Sequence, residues 1–595
     1  LLKMDFLGLR NLSVLDDCLL NIKANQGTDV VLEDLTLDDP KTYQLLGRGD
    51  TLGVFQLDGG PMRALLRSMS PDSFEDISAV IALYRPGPMG ENAHNNYADR
   101  KNKRKPVEPI HPELSEPLQD ILGDTYGLIV YQEQVMAIAQ KVAGFTLGRA
   151  DLLRKAMGKK NKDILDKEYV PFEAGMKENG FSTAAIKRLW EVLIPFSDYA
   201  FNRAHSAGYG VVSYWTAYLK ANYPTEYMAA LLTSVRDDKD KSALYLSECR
   251  RMGINVLPPD VNESDAEYTP RGVDIRFGLA AIRNVGEGVV ASIKSARESK
   301  GRFTSFGDFL AKVDAQVCNK KTIESLIKAG AFGSLGSTRK GLIAVHLEAI
   351  DSVIESKRAE AIGQFDLFGG ESVTAVSGLD IEVPTGEWDK AMLLSYEREM
   401  LGLYVSDHPL LGVEHVLRAN TDMSISELVD DGAQHESIVT IGGLITSVTR
   451  KVSRQGASWA VVTVEDLEGA LEVLFFANTY NQYSMSLTED RIVTIRGRVD
   501  RREDALRFTA LEMSMPDISA GPTGPLVISL PIQQCTPPVV DRIKEILRSH
   551  PGKREVHLQL LDNGSSTVMK VDALITSSPS LSADLKSILG PNCLV

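Results

Sequence analysis

The chain has 595 residues, enough for about four domains at roughly 150 residues each. Its 43 % hydrophobic and 24 % charged content excludes a wholly disordered chain, a collagen and a membrane-embedded protein. The formal net charge of −15 argues, on average, against a nucleic-acid binder, because such proteins carry a basic surplus.

The sequence opens at Leu1, inside an apparent element, so a fragment of something longer is expected. Leu2, Met4 and Phe6 alternate like the end of a strand. Leu12, Leu15, Leu19 and Ile22 then recur at helical spacing, and an acidic connector follows from Asp29 to Asp39. From 41 to 245 the pattern is mainly helical. Breakers at Tyr84-Arg85-Pro86-Gly87-Pro88, Lys105-Pro106, His111-Pro112 and Tyr223-Pro224 are too widely spaced for a sheet of short strands. Basic runs stand at 100–105 and 149–162. The weakly charged stretch from Ala204 to Ser234 contains His205, Lys220, Pro224 and Glu226, and so predicts a buried helical region and not a membrane span.

Residues 246–350 are helical again, in smaller units. Residues 371–431 carry 13 Asp and Glu against 3 Lys and Arg. The period then changes. Val439 to Ile445, Ala460 to Val464, Leu471 to Phe475 and Ile492 to Ile495 read as short strands, with turns at Gly456 and Gly469. They predict a small barrel or sandwich of about five strands. Ser519 to Pro525 is a linker, and the rest predicts a small α/β domain. The five cysteines lie far apart, without CxxC spacing, as expected of free thiols in a reducing compartment. No His/Cys cluster has zinc-ligand spacing.

Asp5 ends the first apolar run beside a glycine turn. It is either a turn or cap residue or a carboxylate facing a site at a sheet edge. One carboxylate cannot hold two magnesium ions, and no Asp-x-Asp pair on a strand is evident in the chain. Lys3-Met4-Asp5-Phe6-Leu7-Gly8-Leu9-Arg10 resembles the last palm motif of the bacterial DNA polymerase III alpha subunits, the C-family replicative polymerases. The resemblance continues in order through Gly53 to Leu57, Tyr84 to Pro88, Tyr131 to Met136, Leu153 to Lys160, Phe201 to Tyr209 and Leu401 to Pro409. It is weakest after about residue 525.

That resemblance implies a C-terminal part of such a polymerase. Residues 1–28 would be the end of the palm, 29–245 the fingers and 246–350 a helix-hairpin-helix domain. A clamp-binding segment and acidic connector would span 351–435, an oligonucleotide-binding (OB) barrel 436–518 and a small C-terminal domain 519–595. Asp5 would be the third of three metal-binding aspartates for Mg2+. The other two would lie upstream, so this piece alone is expected to be inactive. The implied function is template-directed DNA synthesis by nucleotidyl transfer to a primer 3′ end.

The expected nucleotide-facing set is Arg154, Lys155, Asn202, Arg203, His205 and Tyr209. Fixed cations give a triphosphate charge-assisted bonds, and Tyr209 offers a ring for stacking. Leu279 to Gly288 is similar to a helix-hairpin-helix, turning at Asn284-Val285-Gly286 with Gly288 at the next helix start. Asn and Gly tolerate positive φ there, and the helix start offers N–H groups to a DNA phosphate. Ile323 to Phe332 would form a second such unit or pack as plain helix. Gln364, Asp366, Leu367 and Phe368 look like the peptide that holds a ring-shaped sliding clamp, with plain loop as the alternative.

In the barrel, Arg450, Lys451, Arg454, Arg496 and Arg498 are expected to follow a DNA strand. Trp459, Phe475, Phe476 and Phe508 are candidate stacking platforms, most of them better suited to the core. Implied partners are primer-template DNA, deoxynucleoside triphosphates, the sliding clamp, the clamp-loader tau subunit and a proofreading exonuclease. The implied location is cytoplasmic, with the nucleoid. Two other readings remain open: a non-catalytic DNA- and clamp-binding scaffold, and a lesion-bypass paralogue, over which the clamp peptide favours the replicative form.

Overall fold

The computed structural model describes the chain except residues 1–7, 159–161, 197–200, 362–380, 403, 411–412, 430–432, 454–455, 468, 503–504, 517–525, 532–534, 563–564, 577–578, 590–592 and 595. Asp5, the clamp-like peptide Gln364–Phe368 and Arg454 fall outside the described residues. The chain forms two compact units, Leu1–Ser406 and Asp407–Val595. Among the described residues no helix is long and apolar enough to cross a membrane.

The first unit is helical up to Arg251. Helix Arg10–Gln26 buries Val14, Leu15, Cys18 and Ile22. Leu12, expected on that face, is 44 % exposed. The stripe lies two residues further round because Val14 and Cys18 complete it. The weakly charged stretch is two helices, Arg203–Asn222 and Pro224–Ser234, broken where Pro224 cannot continue the first. Helix Arg203–Asn222 serves two cores. Tyr214 and Ala217 pack with Leu46, Ile77 and Tyr131. Leu219 packs with Ile22, Met228 and Phe277. A third core, around Ile138, Phe172 and Leu189, belongs to the helices between Leu114 and Leu193.

The far end of that helix is held by a buried charge. Lys220 is 1 % exposed and donates to the carbonyls of Asp50 (2.9 Å) and Leu52 (2.8 Å) and to Glu248 Oε1. Arg251 donates to the same carboxylate at 2.8 Å and to Asp50 Oδ1 at 2.9 Å. Burial lowers the Lys220 pKa, and Glu248 opposes that shift. Burial pushes the Glu248 pKa up, but the Arg251 bond and the Lys220 charge outweigh it and leave the carboxyl below its ordinary value.

Residues 246–350 are not purely helical. A small sheet of β1 (Val256–Leu257), β2 (Thr269–Arg271) and β3 (Asp274–Arg276) has the order β1-β3-β2. These strands are two or three residues long, too short to show a period. Helices Glu287–Lys300, Phe306–Lys312, Lys320–Lys328 and Arg339–Ala361 follow.

The second unit holds a closed five-stranded barrel of order β4-β5-β6-β8-β7. The strands are β4 (Ile438–Val452), β5 (Ser458–Glu465), β6 (Ala470–Phe475), β7 (Ile492–Arg502) and β8 (Ala505–Ser514). Alternation along β5 places Ala460, Val462 and Val464 inside and Trp459, Val461 and Thr463 outside. A three-stranded sheet then forms from β9 (Leu526–Pro531), β10 (Pro551–Asp562) and β11 (Ser565–Ile575), ordered β11-β10-β9. Side chains of helices Pro537–Ser549 and Pro579–Leu589 share its core.

Lys220→Met is expected to destabilise the first unit locally by about 3 kcal/mol, because it strands part of a buried carboxylate network. Hydrogen exchange of the amides of residues 213–220 measures it. Glu248 has a folded pKa below its ordinary value of 4.5. Its contribution is therefore complete above that pH and is lost as the pH falls through the lower folded value.

Candidate nucleotide and nucleic-acid interface

In the first unit the site is built around one short backbone bridge. Tyr131 and Phe201 pair in parallel, and Gln132 N–H donates to the Phe201 carbonyl at 2.9 Å. Each residue of Tyr131-Gln132-Glu133 reaches a different part of the expected set. The Arg203 guanidinium lies over the Tyr131 ring, 5.4 Å from its centroid. Arg154 Nη1 donates to Gln132 Oε1 at 3.1 Å. Glu133 accepts from Asn202 Nδ2 and from Arg203 N–H, both at 2.9 Å.

Asn202 is the N-cap of helix Arg203–Asn222, its side chain accepting from His205 N–H at 2.8 Å. Four-residue spacing then stacks rings along the helix. Phe201 and His205 are 5.5 Å apart, His205 and Tyr209 4.4 Å, and Tyr209 and Phe55 5.7 Å. Arg85 lies over Phe201 at 4.3 Å, and burial lowers its pKa.

The structure thus brings Arg154, Asn202, Arg203, His205 and Tyr209 around one bridge. Lys155 joins through Asp151, whose carboxylate accepts from Lys155 (2.6 Å) and Arg154 (2.7 Å) and titrates low because of those bonds. The sequence reading missed Arg85, Gln132, Glu133 and Asp151. Their signal was position: Arg85, Gln132 and Glu133 lie in matched motifs, and Asp151 is spaced i, i+3 and i, i+4 from the two cations. In the other basic run most of the cations pair within the chain, partly at the surface. Lys101 pairs with Asp72 and Asp76, Arg104 and Lys105 with Asp99, and Arg100 donates to the Tyr126 carbonyl.

At the hairpin, Asn284 has φ +65°, as expected, but Gly286 is extended at φ −85° and acts as N-cap of helix Glu287–Lys300. Val285 is a core residue, only 5 % exposed, so its side chain cannot face DNA. Asn284 Nδ2 donates to Ser325 Oγ at 3.0 Å, which ties the hairpin to helix Lys320–Lys328. A Cβ at Gly286 or Gly288 would meet nothing within 4 Å, so the helix start is open. Gly330 turns at φ +81° after Lys320–Lys328, under the Arg339 guanidinium.

In the barrel, Phe475 and Phe508 are fully buried, while Phe476 is 49 % exposed and stacks on Trp459 at 6.0 Å. Lys451, cross-strand from Trp459, sits 5.3 Å from its ring centroid. Lys451, Trp459 and Phe476 make one surface row, and Arg498 is exposed on β7. Arg450 donates to the Leu487 carbonyl, and Arg496 pairs with Glu512 at 3.6 Å.

Three family models match in chain order. The bacterial DNA polymerase III alpha subunit finger domain matches residues 11–180, a helix-hairpin-helix motif 253–342 and an OB-fold nucleic acid binding domain 439–519. DNA polymerase III subunit alpha of Mycobacterium tuberculosis H37Rv is 56 % identical over all of this chain and 51 % of its own length. The Thermus aquaticus protein of that name is 39 % identical over 94 % of this chain and 45 % of its own. Along nearly its whole length the chain is similar to bacterial DNA polymerase III alpha subunits. It spans about half the length of the curated relatives it matches. Glu133→Ala is expected to loosen the start of helix Arg203–Asn222 by about 1 kcal/mol, and Glu133→Gln by less, as thermal unfolding will read.

Proposed function

We propose that this chain supplies the nucleotide- and DNA-holding half of a template-directed DNA polymerase acting in chromosomal replication. The observation that carries the reading is the convergence of Arg85, Arg154 and Arg203 on the Tyr131–Phe201 bridge, beside the ring row Phe201, His205, Tyr209 and Phe55. Arginines hold phosphate oxygens through charge-assisted bonds, and the part-buried His205 and Tyr209 rings offer a face to a base or sugar. A bound phosphate competes with Asp151 for Arg154 and Lys155, so the two cations are stored paired until substrate arrives. The finger-domain match and the names of the relatives support the same reading.

In the whole polymerase the primer 3′ hydroxyl would attack the α-phosphate, with pyrophosphate leaving. Magnesium is proposed for that protein as a whole. Among the described residues no group of three or more His, Cys, Asp or Glu side chains is placed to hold a metal ion, and one carboxylate at Asp5 does not fill a hard cation's shell.

DNA would be held at two further places. The open helix start at Gly286–Gly288 suits a backbone phosphate. The row Lys451, Trp459 and Phe476 suits a single strand, its rings stacking on bases and its lysine meeting phosphate. Clamp binding by Gln364, Asp366, Leu367 and Phe368 is proposed on the sequence pattern alone.

In the full-length polymerase, Arg203→Ala is expected to raise the KM for all four deoxynucleoside triphosphates by roughly 10- to 100-fold, with primer-template affinity little changed. An unchanged KM defeats the reading. In the barrel, Trp459→Ala should weaken single-strand binding about tenfold with little change in salt dependence. Lys451→Ala should lower the salt slope by about 1, and a fluorescence titration at several salt concentrations separates the two.

A further inference from the structure

Among the described residues nine non-glycine residues adopt positive φ; Gln56, at +60°, shares an exposed side chain with Lys103 and Glu436 but is the one of the three that lies beside the ring row. Left-handed backbone penalises any side chain with a Cβ, and glutamine lacks the short local bonds that let Asn or Asp tolerate it. Asn284 recovers a bond to Ser325, and Tyr126 a ring contact to Tyr97. The Gln56 side chain is exposed, and no hydrogen bond of the described chain uses it.

The loop around it is bolted in place. Lys220 holds the carbonyls of Asp50 and Leu52, and Tyr227 donates to the Gly53 carbonyl at 2.8 Å. Phe55 N–H donates to Thr216 Oγ1 at 3.1 Å, and Ser213 Oγ donates to the Phe55 carbonyl at 2.9 Å. Thr51 Oγ1 closes the loop on the Leu57 carbonyl. Gly53, at φ +79°, leaves room for Leu231, which a Cβ there would meet at 2.6 Å. These contacts impose the conformation of Gln56 from both sides. The neighbouring Phe55 ring is the one that stacks on Tyr209.

A strained residue whose side chain returns nothing to its own fold, fixed beside the ring row proposed above for the nucleotide, points to a contact outside the chain. We propose that Gln56 is a further nucleotide-contacting residue, its amide hydrogen-bonding the base–sugar end of the nucleoside triphosphate whose phosphates the arginines hold. This inference rests on the nucleotide-site reading above. The amide offers two donors and one acceptor. A template-directed site takes four bases, so the partner is a group common to all four: the 3′ hydroxyl, or the shared minor-groove acceptor position.

The test compares Gln56→Gly, Gln56→Ala and Arg203→Ala in the full-length polymerase, by steady-state extension with each triphosphate and by thermal unfolding. Gln56→Gly removes the amide and relieves the strain together. The expected result is a KM raised about 3- to 10-fold and equally for all four nucleotides, with an unfolding midpoint unchanged or raised. Gln56→Ala should raise KM alike while keeping the strain. A raised midpoint with unchanged KM means a purely structural position and overturns the inference. A rise confined to one nucleotide, or weakened primer-template binding at constant KM, overturns it too. If KM responds to Arg203→Ala but not to Gln56→Gly, this inference alone fails; if it responds to neither, the nucleotide-site reading fails with it.

Discussion

Helix Arg203–Asn222 carries no Asp, Glu, Lys or Arg between Arg203 and Lys220, and the rest of the first unit is organised by that fact. So uncharged a helix, twenty residues long, must be buried along most of its length. It is covered from two sides, by the core of Leu46 and Ile77 and by the core of Ile22 and Phe277. Its two ends are then the places where charge can attach. At the start, Glu133 meets the free N–H groups and the positive end of the helix dipole. At the finish, Lys220 is sealed among carbonyls and the Glu248 carboxylate. The exposed first turns between these anchors carry Arg203, His205 and Tyr209. Their geometry is inherited from a helix that has little freedom to move.

The same frame sorts the cations by use. Lys220 and Lys101 are structural, buried against fixed carboxylates. Arg154 and Lys155 share one partly exposed carboxylate, an arrangement that a ligand with more negative charge can displace. Arg203 and Arg85 rest on rings, which hold the guanidinium plane, and Arg85 Nε also donates to the Ala82 carbonyl at 3.0 Å. The net charge of −15 therefore says little about nucleic acid. Thirteen acidic residues lie in 371–431, and what matters at the site is local pairing.

Much of the candidate site was legible residue by residue. Arg154, Lys155, Asn202, Arg203, His205 and Tyr209 were marked by type and by motif, and helical spacing explains their mutual contacts within each helix. Their convergence was not legible, because it runs through Tyr131-Gln132-Glu133, three residues that read as part of an ordinary helix start. Pattern also could not sort the barrel aromatics. Phe475 and Phe476 are neighbours in sequence, yet Phe475 ends β6 facing the core while Phe476, the N-cap of the next helix, is exposed beside Trp459. The small sheet of β1 to β3 was invisible for a simpler reason: a period of two cannot be seen in strands this short.

What the sequence alone determined is the order of parts: a long helical region, a hairpin-bearing helical region, a barrel and a small α/β domain. Hydrophobic period, breaker spacing and motif order are properties of the linear chain, and they survive without coordinates. What only the tertiary structure decided is which polar groups are consumed internally and which remain for a ligand. Lys101 and Arg154 look alike in a basic run; burial against Asp76 fixes one, and a half-exposed carboxylate leaves the other exchangeable. The strain at Gln56 belongs to the same class. It arises because Lys220, Thr216 and Ser213, more than 150 residues away, hold a loop whose own sequence does not demand a left-handed turn.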